Sequence, residues 1–343
     1  MRKTVIILIS LIFLLIGSIG SFLFIKSKQT PKVKPLPLLK YTFENLKNTK
    51  FPESKITLGK KLWETNDYVS QMFYFNVPEK PDSLNSLKVS GLANIPKAKG
   101  NYPVIVMFRG YMPKETYVSG GGSQPSAKVL AKNEFITLAP DFLGYGESAS
   151  ASATLFEDRF QTYVTAITLI GSLPNLNEAV NSVYPGVLAD ATKVGIWGHS
   201  NGGHIALSTL AISGVNYPTV LWAPVSKPFP YSILFYTDET DDHGKALRHA
   251  LSIFEKDYDV ELFSPSNYYS WIKAPIQIHQ GTADEEVLPF WTNELVETLK
   301  KDGVDVSLYK HQGGDHNLLP NGWSDAVLME VSFFKSFFTS EQK

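Results

Sequence analysis

The stretch Lys193–Gly214, KVGIWGHSNGGHIALSTLAISG, narrows the choice of fold more than any other part of the chain. An apolar run, Val194 to Trp197, stops abruptly at Gly198-His199-Ser200-Asn201-Gly202-Gly203, and apolar residues at helical spacing follow. A strand that becomes a helix within so few residues brings backbone close to backbone, and glycine is the residue that fits there. Such a unit predicts a sheet on which the helix packs, with Ser200 lifted clear of it. Two readings stand on this stretch alone: an ordinary strand-to-helix connection, or a turn that presents a nucleophile.

The rest of the chain alternates strands with helices. Tyr68–Val77 and Leu87–Ile95 read as an antiparallel pair across the turn-rich PEKPDSLNS. Tyr102–Phe108 is a short continuous apolar run, as in a strand buried on both faces. A helix over 126–133, a strand over 135–142 and a helix over 155–173 follow. After the strand 193–197 and the helix 201–213 come strands at 219–222 and 275–279, a helix at 288–302, a strand at 304–310 and a last helix at 323–338. This order predicts a mostly parallel twisted sheet with an antiparallel start and helices on both faces. In such sheets ligands sit at the carboxyl ends of the strands.

Composition excludes several classes. A net charge of −1 over 343 residues leaves no electrostatic footprint for nucleic acid. The absence of cysteine rules out disulfides, thiolate metal sites and a cysteine nucleophile. At the N-terminus, Arg2 and Lys3 precede an uncharged, mostly apolar run from Thr4 to Ile25. As a helix that run covers about 33 Å, enough for the hydrocarbon core of a bilayer. Residues 1–28 are therefore expected to be a membrane anchor or signal segment. A Pro- and Lys-rich extended spacer over 29–40 and a single domain over 41–343 follow. A retained anchor puts the domain on the extracytoplasmic side of a membrane.

A serine hydroxyl needs a base, and the base needs an acid to orient it, in the chain order serine, acid, histidine. After the strand 275–279 the loop HQGTADEEVLP presents Asp284, with Glu285 and Glu286 as rival acids and a helix N-cap as its plain structural role. After the strand 304–310 the loop KHQGGDHNLLP presents His316, with His311 as rival. His279 reads as a satisfied core residue, and His199 and His204 as local packing beside the turn. Gly198 and Gly202 are the small residues the nucleophile turn requires. The backbone N–H of Asn201 at the helix start points where an oxyanion forms, and the second donor is expected from Tyr111 in the loop FRGYMP, by its amide or, less simply, its hydroxyl.

With these residues in place the chain resembles the α/β-hydrolases, and among them the catalytic domain of the prolyl oligopeptidase family and related esterases. The resemblance covers roughly 68–338 and rests on Gly198–Gly203, on PDFLGYGES, on SPSNYYSWIKAPIQIHQGTADEEVLP and on GVDVSLYKHQGGDHNL. It implies an α/β-hydrolase fold, a Ser200–Asp284–His316 triad and Asn201 as oxyanion donor, with no metal or organic cofactor. Two features depart from the family pattern. Arg109-Gly110-Tyr111 stands where many relatives have His-Gly-Gly, and the roughly forty residues between the expected anchor and the first strand are too few for the β-propeller of the large peptidases.

The segment 226–263 occupies the usual place of a cap over the site. Phe229, Tyr231, Phe235 and Tyr236 serve either as a pocket wall or as packing. Asp238–His243 reads as a solvated loop rather than a grip for a substrate cation or a metal, Arg109 as half of a structural ion pair rather than a holder of a substrate carboxylate, and Tyr117–Pro125 as a mobile rim loop. The expected function is a serine hydrolase acting on carboxyl esters or short peptides through an acyl-enzyme. The alternative is a catalytically silent binding or scaffold protein on the same fold at the membrane, which has no need of a complete triad.

Overall fold

Residues 104–108 alternate between two apolar layers: Val104, Val106 and Phe108 join one buried cluster, Ile105 and Met107 another. The strand that carries them is thus covered on both faces, as its unbroken apolar run requires. The computed structural model describes residues 34–237 and 240–340. Within the unit Leu38–Lys343, nine strands form one sheet: β1 (Thr57–Glu64), β2 (Tyr68–Pro78), β3 (Ser86–Pro96), β4 (Gly100–Phe108), β5 (Ile136–Pro140), β6 (Val187–His199), β7 (Thr219–Trp222), β8 (Ile276–Gly281) and β9 (Val306–His311). Their spatial order is β1-β2-β3-β5-β4-β6-β7-β8-β9. β1, β2, β3 and β5 pair antiparallel in succession, and every pair from β5–β4 to β8–β9 is parallel.

The helices are α1 (Phe43–Asn48), α2 (Gln124–Lys132), α3 (Leu155–Gly171), α4 (Leu176–Val183), α5 (Asn201–Ser213), α6 (Lys245–Phe254), α7 (Pro289–Lys301) and α8 (Trp323–Ser340), with a single turn at Tyr231–Leu234. Buried side chains of α1, α3, α4, α5, α6 and α7 belong to the first cluster and those of α2 and α8 to the second, so both faces of the sheet are covered. Close packing against β6 depends on Gly195, where an added Cβ would lie 2.6 Å from the Phe334 ring and 2.8 Å from Ile105. This is the mixed sheet of an α/β-hydrolase.

Several expectations need correction. β1 was not anticipated: it is an edge strand with Lys60 and Lys61 outward and an irregular register against β2, so it lacks an alternating apolar pattern. β6 begins at Val187 rather than 193, because the polar residues 190–193 carry a register shift against β4 instead of ending the strand. The extended spacer ends before residue 40, since Pro37–Tyr41 is a 3-10 turn and Tyr41 is fully buried. The expected membrane segment, residues 4–25, lies outside the described residues, as do Asp238 and Glu239. Among the described residues no helix is long and apolar enough to cross a membrane.

One acid lies inside the second cluster. Glu330 on α8 is fully buried, accepts a hydrogen bond from Trp197 Nε1 at 2.9 Å and leaves its Oε1 without a partner. Burial raises its carboxyl well above the ordinary value, and the Trp197 bond only partly opposes this. The folded state therefore keeps a proton that the unfolded chain releases. The stability linked to it is complete below the ordinary carboxyl pKa and is lost as pH rises toward the raised value. A Glu330→Gln variant cannot ionise. Its stability relative to the parent is expected to grow between pH 5 and pH 8, by up to about 1.4 kcal/mol per pH unit, in denaturant titrations at the two pH values.

Candidate active site

Every residue singled out for chemistry lies at the carboxyl end of a strand. The turn after β6 holds Ser200 at φ 56°, ψ −121°, in the sparsely populated region that a nucleophile turn imposes. Three backbone bonds keep it there: Ser200 N donates to Trp222 O at 2.9 Å, and Ser200 O accepts from Gly203 N at 2.9 Å and Val225 N at 3.0 Å. A Cβ at Gly202 would run into the carbonyl oxygen of Phe108, and one at Gly198 would lie 2.7 Å from Gly202 O. Both glycines are thus required by close approach. Gly110, in the loop after β4, is as tight: its Cβ would stand 3.0 Å from Ser200 Cβ.

Asp284 and His316 meet across the ends of β8 and β9. His316 Nδ1 lies 3.0 Å from Asp284 Oδ2 and 3.2 Å from Oδ1, both residues being buried. Since the carboxylate can only accept, Nδ1 carries the hydrogen and Nε2 of the neutral ring is left as the basic nitrogen. Burial pushes the Asp284 carboxyl up, but the bond from His316, its positive charge, the Val287 amide and Gln280 outweigh it, and the net shift is downward. Asp284 stays ionised where an ordinary aspartate does and somewhat below.

Asp284 also performs the capping role weighed against it: Oδ1 accepts from the amides of Glu286 and Val287, both at 2.9 Å. Glu285 and Glu286 are exposed and do not replace it, although Glu286 Oε2 comes within 3.7 Å of His316 Nε2. His311 faces elsewhere: its Nε2 lies 2.9 Å from His279 Nδ1, and His279 Nε2 is 3.0 Å from Gln277 Oε1. Because the Gln277 oxygen accepts, His279 donates from Nε2 and accepts at Nδ1 from His311. Both are satisfied structural residues.

Ser200 is half-buried, and its hydroxyl makes no hydrogen bond to His316 in this structure. The two are nevertheless neighbours through His199. Its ring lies 4.6 Å from that of His316, centroid to centroid, and its Nε2 is 3.0 Å from His316 O. A carbonyl only accepts, so His199 Nε2 donates. His204, one turn into α5, accepts at Nε2 from Tyr163 Oη at 2.8 Å and from Arg159 Nη2 at 3.2 Å. No hydrogen bond from the Asn201 or Tyr111 amide to any described residue is formed, while the Tyr111 side chain is exposed to solvent.

Three residues that the sequence did not single out complete the frame. Gln280 Nε2 donates to Asp284 Oδ2 at 3.0 Å and to Val287 O at 3.1 Å, and its Oε1 accepts from Thr292 Oγ1 at 2.6 Å. Asp141, fully buried after β5, accepts from Tyr117 Oη at 2.7 Å, Ser119 Oγ at 2.8 Å and Ser90 Oγ at 2.6 Å. The expected mobile loop Tyr117–Pro125 is therefore pinned at its start. Tyr145 Oη donates to Met112 O at 3.0 Å. Nothing in the strand Ile276-Gln277-Ile278-His279-Gln280-Gly281 set Gln280 apart from Gln277.

Arg109 makes no ion pair with an acid. Its Nη1 donates to Gly110 O at 2.9 Å and Nη2 to Asp141 O at 3.1 Å. Phe229 is core, packed edge-to-face on Phe156 and Phe160. Tyr231, Phe235 and Tyr236 are exposed; Phe235 stands edge-on to Trp291 at 4.6 Å, and Tyr236 Oη donates to Glu286 O at 3.2 Å. In the acidic loop, Asp242 accepts from the Gly244 and Ala246 amides and begins α6, with its side chain in solvent. No group of three His, Asp or Glu among the described residues is arranged to hold a metal.

The profile of the prolyl oligopeptidase family matches residues 174–341, just under half of the chain. Among curated proteins none matches the sequence. Solved structures are similar in fold at low identity. The acetyl xylan esterase of Paenibacillus sp. R4 is 16% identical with a TM-score of 0.55, over 90% of this chain and 96% of that one. Acetyl xylan esterase 1 of Thermoanaerobacterium sp. JW/SL YS485 is also 16% identical, with a TM-score of 0.53 over 88% and 94%. A puromycin-hydrolyzing peptidase of Mycobacterium tuberculosis gives 16% identity and a TM-score of 0.50 over 82% of this chain but 39% of its own. The chain resembles the prolyl oligopeptidase family and its esterase relatives, and is a serine hydrolase of the esterase or peptidase kind.

Burial sets the titration of the histidines around the site. It pushes His199 down to about 4, helped by the charge of His316, and His279 down to about 3, helped by His311; His204 is held well below the ordinary value. Each is neutral in the folded state where the unfolded chain begins to bind a proton. Stability is therefore complete above the ordinary histidine pKa and is lost as pH falls from about 6.5 toward the depressed values. Denaturant midpoints are expected to drop steeply between pH 7 and pH 5, and His279→Gln is expected to flatten the drop.

Proposed function

We propose that Ser200, His316 and Asp284 are the catalytic triad of this hydrolase, acting through a covalent acyl-enzyme on carboxyl esters or short peptides. The observation that supports the reading is the buried Asp284–His316 pair, whose tautomer leaves Nε2 basic, with the His316 ring 4.6 Å from that of His199, the residue before a serine held at positive φ. His316 Nε2 takes the Ser200 hydroxyl proton as Oγ attacks the carbonyl carbon, and returns it to the departing alcohol or amine. Water then attacks the acyl-enzyme with the same base. The ionised Asp284 favours the imidazolium that exists between these transfers. The Ser200–His316 bond is expected to close when substrate enters, as such bonds commonly do.

The developing oxyanion is received by the amides of Asn201 and Tyr111. The first lies at the start of α5, where the helix dipole favours negative charge; the second lies in the loop that Gly110 brings against Ser200. Phe235, Tyr236 and Trp291, beside the Asp284 loop, give the substrate an aromatic surface on the cap side. No metal or organic cofactor takes part, and the substrate is a small ester or peptide. Residues 1–28 are proposed as the membrane anchor, with the catalytic domain extracytoplasmic; the support is the uncharged run Thr4–Ile25.

A fluorophosphonate probe is expected to label the full chain and to leave Ser200→Ala unlabelled. His316→Gln and Asp284→Asn are expected to lower kcat by at least about 10³-fold with the fold intact. Equal labelling of Ser200→Ala excludes Ser200 as the nucleophile, and no labelling of either sample under conditions that label a reference serine hydrolase favours a silent binding protein. The ratio of ester to amide turnover across an acyl series then separates esterase from peptidase. Membrane fractionation checks the anchor: the full chain is expected in the membrane pellet, and residues 36–343 in the supernatant.

A further inference from the structure

The second oxyanion donor requires a peptide turned the right way, and the loop after β4 holds a side chain that fixes it. Arg109 is buried, and both of its terminal nitrogens are committed to backbone carbonyls: Nη1 to Gly110 O at 2.9 Å and Nη2 to Asp141 O at 3.1 Å. Its guanidinium carbon lies 4.0 Å from the centre of the Tyr145 ring and 4.6 Å from that of Tyr117, and the two rings meet edge-to-face at 5.1 Å. Each ring is tied in turn, Tyr117 to the Asp141 carboxylate and Tyr145 to Met112 O. A planar cation held between tied rings has little freedom of its own.

The consequence lies in the Gly110–Tyr111 peptide. A trans peptide points its C=O and its N–H in opposite directions. With Gly110 O drawn onto Arg109, the Tyr111 N–H faces away from the guanidinium, and no described residue accepts from it. Gly110 itself adjoins the nucleophile: its Cβ would come within 3.6 Å of Ser200 Oγ. A glycine on the N-terminal side leaves that peptide free to rotate unless something holds it.

We infer that Arg109 is a positioning residue for catalysis: by accepting no substrate and instead gripping the Gly110 carbonyl, it locks the Gly110–Tyr111 peptide with its N–H toward the oxyanion. Its contribution falls on the transition state. A flipped peptide would present a carbonyl oxygen to the developing negative charge, which opposes the reaction without blocking substrate entry. The inference rests on the triad reading above.

The test compares the full-length parent with R109M and R109K, using a turned-over ester and an alkyl boronic acid that forms a tetrahedral adduct on serine. Thermal midpoints report folding. Loss of one oxyanion donor corresponds to about 10²–10³-fold in kcat. That loss is expected in R109M with KM changed by less than about threefold, and boronate affinity is expected to fall in parallel with kcat/KM. R109K, able to reach one carbonyl but not both, is expected in between; it carries the comparison if R109M does not fold. Ethylguanidinium added to R109A is expected to restore part of kcat.

R109M or R109K with kcat within about threefold of the parent overturns the inference, as does a fall in kcat with boronate affinity unchanged. A rise in KM alone would make Arg109 a substrate-binding residue instead. A parent that neither labels with fluorophosphonate nor turns over any ester or amide overturns the triad reading itself, whereas an active parent with an equally active R109M overturns only the role of Arg109.

Discussion

The approach of the turn 198–203 to the end of β4 is the constraint on which the rest of the site depends. Gly202 lies against the carbonyls of Phe108 and Arg109 with no room for a side chain, and Gly110 lies against Ser200. Two neighbouring strands therefore end in loops that meet backbone to backbone at Gly202 and backbone to the Ser200 side chain at Gly110. That contact fixes how far the serine stands from the loop that faces it. It also forces Ser200 to positive φ, a strain that the bonds to Trp222 O, Gly203 N and Val225 N offset. β7 enters the same arrangement, since Trp222 and Val225 both bond to the turn.

The histidine side of the site is built by different means. β8 and β9 end one strand further out, and their loops are joined by polar contacts rather than by glycine packing. Gln280 bridges Asp284 to Val287 O, Thr292 fixes Gln280, and His199 reaches across to the His316 carbonyl. Burial makes each of these bonds costly to lose, because an unpaired polar group there has no water to turn to. The acid–histidine pair is thus rigid, and the serine side is rigid for a separate reason. The two halves meet through His199, whose ring lies against that of His316, and not through a bond from the Ser200 hydroxyl.

The architecture was legible wherever a rule of periodicity or spacing applied. Strands buried on both faces, such as 102–108, announce themselves as apolar runs, and the glycines at 198, 202 and 203 announce the turn. Asp284 and His316, which the structure pairs, stood out because each follows a strand in the order that the expected chemistry uses. β1 was missed because an edge strand facing water carries lysine rather than an apolar pattern. The longer β6 was missed because its register shift falls on polar residues that resemble a loop.

What could not be read is the support that comes from distant residues meeting. Arg109 was expected to pair with an acid, as an isolated buried cation would. The carboxylate of Asp141, whose backbone carbonyl takes one of the guanidinium nitrogens, accepts instead from three hydroxyls, of Tyr117, Ser119 and Ser90, drawn from two separate segments. With that carboxylate engaged, the guanidinium turns to carbonyls and rings, and so to the peptide beside the nucleophile. Two of those hydroxyls, of Tyr117 and Ser119, pin the start of the segment Tyr117–Pro125. One buried carboxylate therefore decides both the rigidity of the rim and the partner of the arginine, and neither effect is visible until strands β3 and β5 are paired. The exposed aromatic side chains lie instead in the segment between β7 and β8, where Tyr231, Phe235 and Tyr236 stand in solvent and Tyr236 bonds to the Asp284 loop.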